Sequence, residues 1–157
     1  MALPTTTQHQ ELLDQLANSW SAGNDREFGA SFTDDAHFVA FDGTVLEGPA
    51  AIAQYHQAAF DRYLQNTKLV VSVDGTRAID ESALLVFASG GIQSKSGDAV
   101  MLTGESLQTM VVVLQDGKAR VLAFQNTRRR PITDGDSASV WREFDSLWSH
   151  RHAKSNV

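Results

Sequence analysis

Residues 107–128 read LQTMVVVLQDGKARVLAFQNTR, two runs rich in β-branched and apolar residues joined by Asp116-Gly117. Such residues favour strands, and an Asp-Gly pair between two strand-forming runs is typical of a two-residue hairpin turn. The stretch therefore predicts two antiparallel strands, the first over Ala99–Gln115 and the second over Lys118–Arg129.

Two more strands are predicted upstream of this hairpin, over Lys68–Ile79 and Ala83–Gln93. The short links at Asp80-Glu81 and Ser96-Gly97 join all four strands into an antiparallel meander. Gly90-Gly91 lies inside the second strand, where glycine is typical of a bulge or a sharp bend. We therefore expect the sheet to curl there and to present a concave face.

The segment before the sheet begins with a helix pattern. Thr7 and Gln10 have the spacing of a capping box and predict a first helix over Gln8–Gly23. Apolar residues recur at helical spacing on one face of this segment, namely Leu12, Leu13, Leu16, Ala17 and Trp20.

A second, short helix is predicted to begin at Asn24, with Glu27 three residues later and with Phe28 and Phe32 on its buried face. It ends before Asp34-Asp35, and we expect those two carboxylates to satisfy backbone amides in the turn after the helix.

A short hairpin and a third helix follow. A strand over Ala36–Phe41 meets a turn at Asp42-Gly43 and pairs back with Thr44–Leu46. Pro49 opens the helix, because its fixed φ suits the first helical position, and the helix ends near Gln65. The inward stripe of this helix consists of Ile52, Tyr55, His56, Ala59, Phe60 and Tyr63.

The end of the chain differs from the rest in composition. After Pro131 the segment ITDGDSAS is a polar linker, and an amphipathic last helix follows. Its apolar residues are Val140, Trp141, Phe144, Leu147 and Trp148. The pattern divides the chain into an α+β domain over residues 1–131 and a linker with a C-terminal helix over residues 132–157.

Composition excludes several classes of protein. The 157 residues contain no cysteine, so disulfides, thiolate nucleophiles and cysteine metal sites are absent. A net charge of -6 has the wrong sign for a general nucleic-acid surface. No run reaches the roughly 18 apolar residues of a membrane span, and the first ten residues lack the pattern of a secretory signal. We expect no nucleic-acid or membrane partner and a cytoplasmic location.

Several short motifs resemble those of the nuclear-transport-factor-2-like superfamily. Its opening motifs are matched by Gly23-Asn24, Phe32-Thr33-Asp34-Asp35-Ala36, Asp42-Gly43, Glu47-Gly48 and Ile52-Ala53. The segments 116–121 and 123–127 are similar to the last strand of the SgcJ/EcaC branch, a group related to SnoaL-like proteins. The resemblance covers about residues 8–130.

This resemblance implies a cone-shaped barrel: a curved antiparallel sheet wrapped by three N-terminal helices around an apolar pocket, usually in a homodimer. The fold serves many reactions and also proteins that are not enzymes, so it names no reaction by itself. The branch carries an oxidoreductase label, but the sequence contains no nicotinamide, flavin or metal motif. We therefore expect no cofactor and no metal.

Ketosteroid isomerases of this superfamily use an aspartate base, with a tyrosine and a protonated aspartic acid as hydrogen-bond donors. Aligning the shared motifs places Ala40, Leu16 and Met110 at these three positions. None of these side chains can donate or move a proton, so that chemistry is absent.

The same comparison, together with strand alternation, indicates which residues line the pocket. It predicts that Leu16 and Trp20 face inward, and it aligns His56 with a pocket-facing tyrosine of the isomerases. The expected ligand-binding residues are Trp20, Phe38, Met110, Leu122, Phe124 and Arg128. His56 and Asn126 are the expected catalytic pair, with histidine as a base and asparagine orienting a carbonyl or hydroxyl. The alternative is that both are hydrogen-bonded wall residues without chemistry.

Other polar residues are weaker candidates. His37 and Asp42 are expected near the pocket rim, where they also fit ordinary strand-end and turn roles. The pair His150 and His152 on the C-terminal tail lacks a further metal ligand. The cluster of Arg128, Arg129 and Arg130 either docks an anionic group of a ligand at the mouth or simply ends a strand.

These observations leave three hypotheses for function. The first is a small-molecule pocket protein that binds an apolar or polyketide-like ligand and acts on it, if at all, without a cofactor. The second is a non-enzymatic homodimerisation module with a filled core. The third is a cofactor-free isomerase, cyclase or hydratase that uses His56.

Strands that are apolar on both faces predict a homodimer. If Met110, Val112 and Leu114 point into the cone, the outward residues are Thr109, Val111, Val113 and Gln115, joined on the next strand by Val121, Ala123, Gln125 and Thr127. Such strands are normally covered on both faces, and a second copy is a more common cover than a terminal helix.

Overall fold

The computed structural model describes residues 2–96, 105–129, 139, 141–146 and 148–149. Three helices and six strands make up the main fold. In chain order they are α1 (Thr6–Ala22), α2 (Asp25–Gly29), β1 (Phe32–Val39), β2 (Val45–Glu47), α3 (Gly48–Arg62), β3 (Thr67–Ala78), β4 (Ala83–Ser94), β5 (Ser106–Gln115) and β6 (Lys118–Arg128). The described residues between 139 and 149 are also helical.

The six strands form one curved sheet in the order β2-β1-β6-β5-β4-β3. The antiparallel meander β3-β4-β5-β6 is confirmed, as is the α+β class. The barrel is wrong, because β2 and β3 are the two edges of an open sheet. The sheet is also not wholly antiparallel, since β1 runs parallel to β6. No short turn links these two strands, so nothing forces them to be antiparallel.

The hairpin turn between β5 and β6 has the predicted geometry. Asp116 has φ 51° and Gly117 has φ 74°, so both residues occupy the left-handed region. Positive φ at two successive turn residues is the requirement of a type I′ turn, and an Asp-Gly pair meets it with little strain.

The first helix begins two residues earlier than predicted. The side chain of Thr5 accepts a hydrogen bond from the backbone N–H of Gln8 at 3.2 Å, and the Gln8 side chain accepts one from the Thr5 backbone at 2.9 Å. The sequence contains two Thr-x-x-Gln matches, and the capping box forms at Thr5 rather than at Thr7. Gly23 ends the helix with φ 64°.

The second helix is shorter than predicted. Asn24 caps it as expected, but Phe32 belongs to β1, where it pairs with Val121 of β6. Asp34 and Asp35 also lie within β1, so the prediction that they follow a helix and satisfy its turn amides is wrong. Pairing with β6 overrides the helical spacing of the phenylalanines, because tertiary contacts outweigh local propensity.

Of the two alternatives predicted for Gly90-Gly91, a bulge or a sharp bend, the bulge is wrong. Both glycines pair in unbroken register with β3, opposite Val71 and Val70. A Cβ on Gly90 would overlap the Val70 carbonyl oxygen and lie 2.9 Å from Cα of Val71. Glycine is needed here because the neighbouring backbone approaches too closely for any side chain.

The bulge that matters for the cavity lies in β6. Val111 pairs with Ala123 while Val112 pairs with Val121, so Leu122 is an extra residue in its strand. One extra residue reverses the alternation, which places Val121 fully in the core although we predicted it on the outer face. The inward assignment of Leu122 fails for the same reason.

The core lies between the helices and one face of the sheet. Helix α1 packs against β3 and β6, and α3 packs against β1 and α2. The most buried large side chains are Phe32, Ile52, Val86, Met110, Val112 and Val121. Within the described part of the chain, no helix combines the length and apolar character that crossing a membrane requires.

The C-terminal segment is only partly described. The linker residues 132–138 and the tail from His150 lie outside the described residues, so the boundary at residue 131 stays a prediction. Trp141 is 61% exposed and Phe144 is 52% exposed, and their rings contact each other with centroids 5.9 Å apart.

We predict that Gly90→Ala lowers the free energy of unfolding by about 2 kcal/mol or more, because the new methyl group overlaps the β3 backbone. Urea denaturation of the purified variant measures the loss. Gly75→Ala is the matched control, since Gly75 lies in β3 with no atom within 4 Å of its added Cβ. Equal stabilities of the two variants would contradict the close approach of the β3 backbone to Gly90.

Candidate functional site

A cavity of about 560 Å³ lies between the helices and the concave face of the sheet. Its walls are mostly apolar and aromatic and include Leu16, Trp20, Phe28, Phe32, Phe38, Met110 and Phe124. The polar residues in the lining are Tyr55, His56, Arg62, Tyr63, Ser106, Gln108, Asn126 and Arg128. Because the lining residues Phe41, Arg62 and Tyr63 are exposed, that end of the cavity opens to solvent.

Helical spacing and strand alternation bring these residues together. Leu16 and Trp20 are four residues apart on α1 and so lie on the same face, as do His56 and Ala59, three residues apart on α3. Phe124 and Asn126 alternate along β6 after the bulge and share one face of the sheet. Leu122, which precedes them, is absent from the lining.

His56 is buried in an aromatic cluster, with 4% of its surface exposed. Its ring centroid lies 4.3 Å from that of Phe28, 5.5 Å from that of Phe38 and 5.8 Å from that of Trp20. Its Nδ1 is 2.8 Å from the carbonyl oxygen of Ile52, one turn earlier in α3. A carbonyl can only accept, so Nδ1 carries the proton and Nε2 is left as the acceptor.

Burial lowers the pKa of His56 to about 4, although the hydrogen bond to the Ile52 carbonyl acts in the opposite direction. The imidazole is therefore neutral at physiological pH. The single N–H of the neutral ring is donated to Ile52, so it offers no proton to the cavity, and a pKa this low makes Nε2 a weak base.

Trp20 contributes only its ring to the cavity. Its Nε1–H donates to Oγ1 of Thr67 at 3.2 Å, and Thr67 donates in turn to the carbonyl oxygen of Leu64 at 2.6 Å. The polar group of the indole is thus satisfied away from the cavity, as is usual for a buried tryptophan.

Asn126 lies in the cavity wall with Oδ1 buried and without a hydrogen-bond partner. Its register partner on β5 is Gln108, whose Oε1 is also buried and unpartnered. Sequence reasoning missed Gln108. The signal was an amide two residues before Met110, which places it on the same face of a largely apolar strand.

The open end of the cavity carries charged side chains of both signs. The guanidinium carbon of Arg128 lies 4.7 Å above the centre of the Phe41 ring, within the range of a cation–π contact. Burial raises the pKa of Tyr55, and the negative charge of Asp42 raises it further. Asp42 itself has a lowered pKa, chiefly because the backbone N–H of Thr44 donates to it.

The weaker candidates lie elsewhere. His37 is exposed, absent from the cavity lining and 2.9 Å from the Glu47 carboxylate. Arg129 forms an ion pair with Glu105 at 2.8 Å. Arg130, His150 and His152 fall outside the described residues. In the part of the chain that is described, no three histidine or carboxylate side chains are grouped to hold a metal ion.

A family model described as the SnoaL-like domain matches residues 2–125. No curated protein matches the chain. Solved structures share its fold. A domain of unknown function with a cystatin-like fold from Nostoc punctiforme is 26% identical with a TM-score of 0.74, covering 96% of this chain and 94% of that one.

Two more distant structures show the same fold. Aln2 from a Streptomyces species is 20% identical with a TM-score of 0.68, and the match covers 80% of this chain and 94% of that one. A protein from Catenulispora acidiphila, solved in complex with S-DNPA, is 16% identical with a TM-score of 0.64, covering 77% of this chain and 90% of that one.

The lowered pKa of His56 predicts a pH-dependent stability. Between pH 6.5, its ordinary pKa, and pH 4 the unfolded chain binds a proton at His56 that the folded chain excludes. The folded state therefore loses about 3 kcal/mol as the pH falls through this window, and the full stability is present above it.

Urea denaturation at pH 7, 6, 5 and 4 measures this loss. The control is His56→Phe, which fills the aromatic cluster with a ring that does not titrate, so its stability should fall less over the same range. If the free energy of unfolding fell equally with pH in the two proteins, the folded state would not exclude the proton from His56.

Proposed function

The chain belongs to the SnoaL-like domain family, and from this membership together with its apolar cavity we propose that it is a small-molecule pocket protein. The ligand is an apolar or polyketide-like molecule held between α1, α3 and the concave face of the sheet. The proposed binding needs no cofactor.

The observation that carries the proposal is the volume of the cavity. About 560 Å³ falls within the range of ordinary ligand pockets, which are also mostly apolar with a few polar groups. A filled-core dimerisation module would close this space with side chains, since protein interiors are packed almost without voids. An unfilled space of this size lowers stability, and a ligand offsets that cost.

A structural neighbour gives further support. The Catenulispora acidiphila protein of the same fold was solved in complex with S-DNPA. Its identity to this chain is 16%, so the comparison supports ligand binding by the fold and does not name a ligand. Membership of the SgcJ/EcaC branch stays a prediction, which rests on the motifs at 116–121 and 123–127. The cytoplasmic location also stays a prediction.

Binding is favoured over catalysis by the state of His56. An isomerase or cyclase that relied on this residue would need it to exchange protons near neutral pH. Its pKa of about 4 leaves a neutral ring with one weak acceptor. Asn126 does not titrate. We therefore assign both residues first to ligand binding and keep proton transfer as the alternative.

We also propose that the protein is a homodimer through the outer face of the sheet. Leu107 is 48% exposed and Phe87 is 37% exposed, and Val111 and Val113 are half-buried beside them. Exposed apolar residues grouped on one face of a sheet are typical of an association surface. The exposure of Trp141 is consistent with a C-terminal helix that does not place its aromatic stripe on this face.

Binding of 8-anilinonaphthalene-1-sulfonate, an aromatic anion, tests the pocket. We expect saturable binding with a fluorescence increase, and we expect Ala59→Trp to weaken it by about tenfold or more because the new ring occupies the cavity. Ala50→Trp is the matched control on the same helix, since Ala50 is exposed and does not line the cavity. Identical binding to the two variants would place the dye elsewhere and refute the pocket.

Sedimentation equilibrium at micromolar concentration tests the dimer and should give twice the chain mass of 17.1 kDa. Val111→Asp with Val113→Asp should shift the protein toward monomer, because two charges would be buried in the interface. Ala50→Asp with Gln54→Asp is the control, as both are exposed residues of α3, which lies on the opposite side of the sheet. A monomeric unmutated protein would refute the proposal.

A further inference from the structure

Two amide side chains in the cavity wall have oxygens without a hydrogen-bond partner among the described residues. Gln108 on β5 and Asn126 on β6 are directly opposite each other in the sheet register. Residues paired in this way have their Cβ atoms about 5 Å apart, so one ligand group can reach both amides.

Burial makes these amides unusual. Gln108 is 7% exposed, and the oxygens Oε1 of Gln108 and Oδ1 of Asn126 are both buried without a hydrogen-bond partner. A buried amide without partners destabilises the fold, whereas leucine or methionine would suit an apolar wall. A donor group in the cavity, from a ligand or from water, would satisfy these oxygens.

The location of the two amides separates them from the other unpartnered groups. The described residues contain four more buried polar side-chain atoms without a partner, on His9, Thr33, Gln115 and Arg120. None of these four residues lines the cavity, while Gln108 and Asn126 both do. Among the described residues, the fully buried polar side-chain atoms of the cavity lining that lack a partner therefore all belong to one cross-strand pair.

On the inward faces of β5 and β6, the paired side chains change from polar to apolar along the length of the cavity. Ser106 pairs with Arg128, then Gln108 with Asn126, then Met110 with Phe124. Successive pairs on one face are about 6.7 Å apart. A ligand that places an apolar body against the last pair thus meets the two amides partway along its length.

We propose that Gln108 and Asn126 together bind a hydroxyl group of the ligand, which assigns the ligand to hydroxylated apolar molecules, that is, alcohols or phenols. A hydroxyl both donates and accepts, so one amide oxygen accepts its proton while the other amide donates to its oxygen. The hydroxyl thus satisfies one of the two buried amide oxygens, whereas an ether or a plain hydrocarbon satisfies neither. This assignment rests on the proposed small-molecule pocket.

Three probes of similar shape test the assignment by equilibrium dialysis: 2-naphthol, which donates and accepts, 2-methoxynaphthalene, which only accepts, and naphthalene, which does neither. We expect the unmutated protein to bind 2-naphthol about tenfold more tightly than 2-methoxynaphthalene. The double variant Gln108→Leu with Asn126→Leu should lose this preference and bind naphthalene at least as tightly as before.

Controls separate recognition from folding. Gln57→Leu replaces an exposed amide on α3 outside the cavity lining and should keep the preference. If the double leucine variant does not fold, Gln108→Met, which introduces an unbranched side chain, is measured in its place. Without ligand, both the leucine and methionine variants should melt a few degrees higher, because an unsatisfied amide has been removed. A lower melting temperature in both would assign the amide a structural role and overturn the inference.

The binding outcomes are distinguishable. Equal affinity of the unmutated protein for 2-naphthol and 2-methoxynaphthalene would overturn hydroxyl recognition and leave the proposed pocket intact. Failure of all three probes to bind would refute the pocket and the hydroxyl assignment together.

Discussion

The position of strand β6 between β5 and β1 is the constraint on which the rest of the structure depends. It pairs antiparallel with one neighbour and parallel with the other, and the extra residue Leu122 lies in its middle. Before the bulge the strand turns Val121 into the core, and after it the strand turns Phe124 and Asn126 toward the cavity. One inserted residue thus lets a single strand serve both the packed end and the open end of the fold.

Stability and function oppose each other in this arrangement. The stability of the empty protein is lowered by a cavity of about 560 Å³ and by two buried amide oxygens that have no partner among the described residues. The opposite end of the sheet is closely packed, with Val86, Val112 and Val121 almost wholly buried. The fold therefore concentrates its packing at one end and leaves space at the other, which is the arrangement that a bound ligand would complete.

His56 illustrates how burial decides what a side chain can do. In water an imidazole exchanges protons near neutral pH, but the aromatic rings around this one disfavour its charged form. Its Nδ1 is engaged by the Ile52 carbonyl, which directs the remaining nitrogen outward from the helix. The residue type alone suggests a base, whereas its surroundings favour a neutral hydrogen-bond acceptor within an apolar wall.

The sequence by itself determined the fold class, the four-stranded meander, the Asp116-Gly117 turn and the helical face that carries His56, because turns and periodicity depend on residues close together in the chain. Tertiary structure alone decided that Phe32 joins a strand, that the sheet stays open, and that Val121 rather than Leu122 faces the core. Each of these depends on pairing between segments far apart in sequence, which no local pattern records. The pairing of Gln108 with Asn126 was decided in the same way, since only the register of β5 on β6 places the two amides opposite each other in one wall.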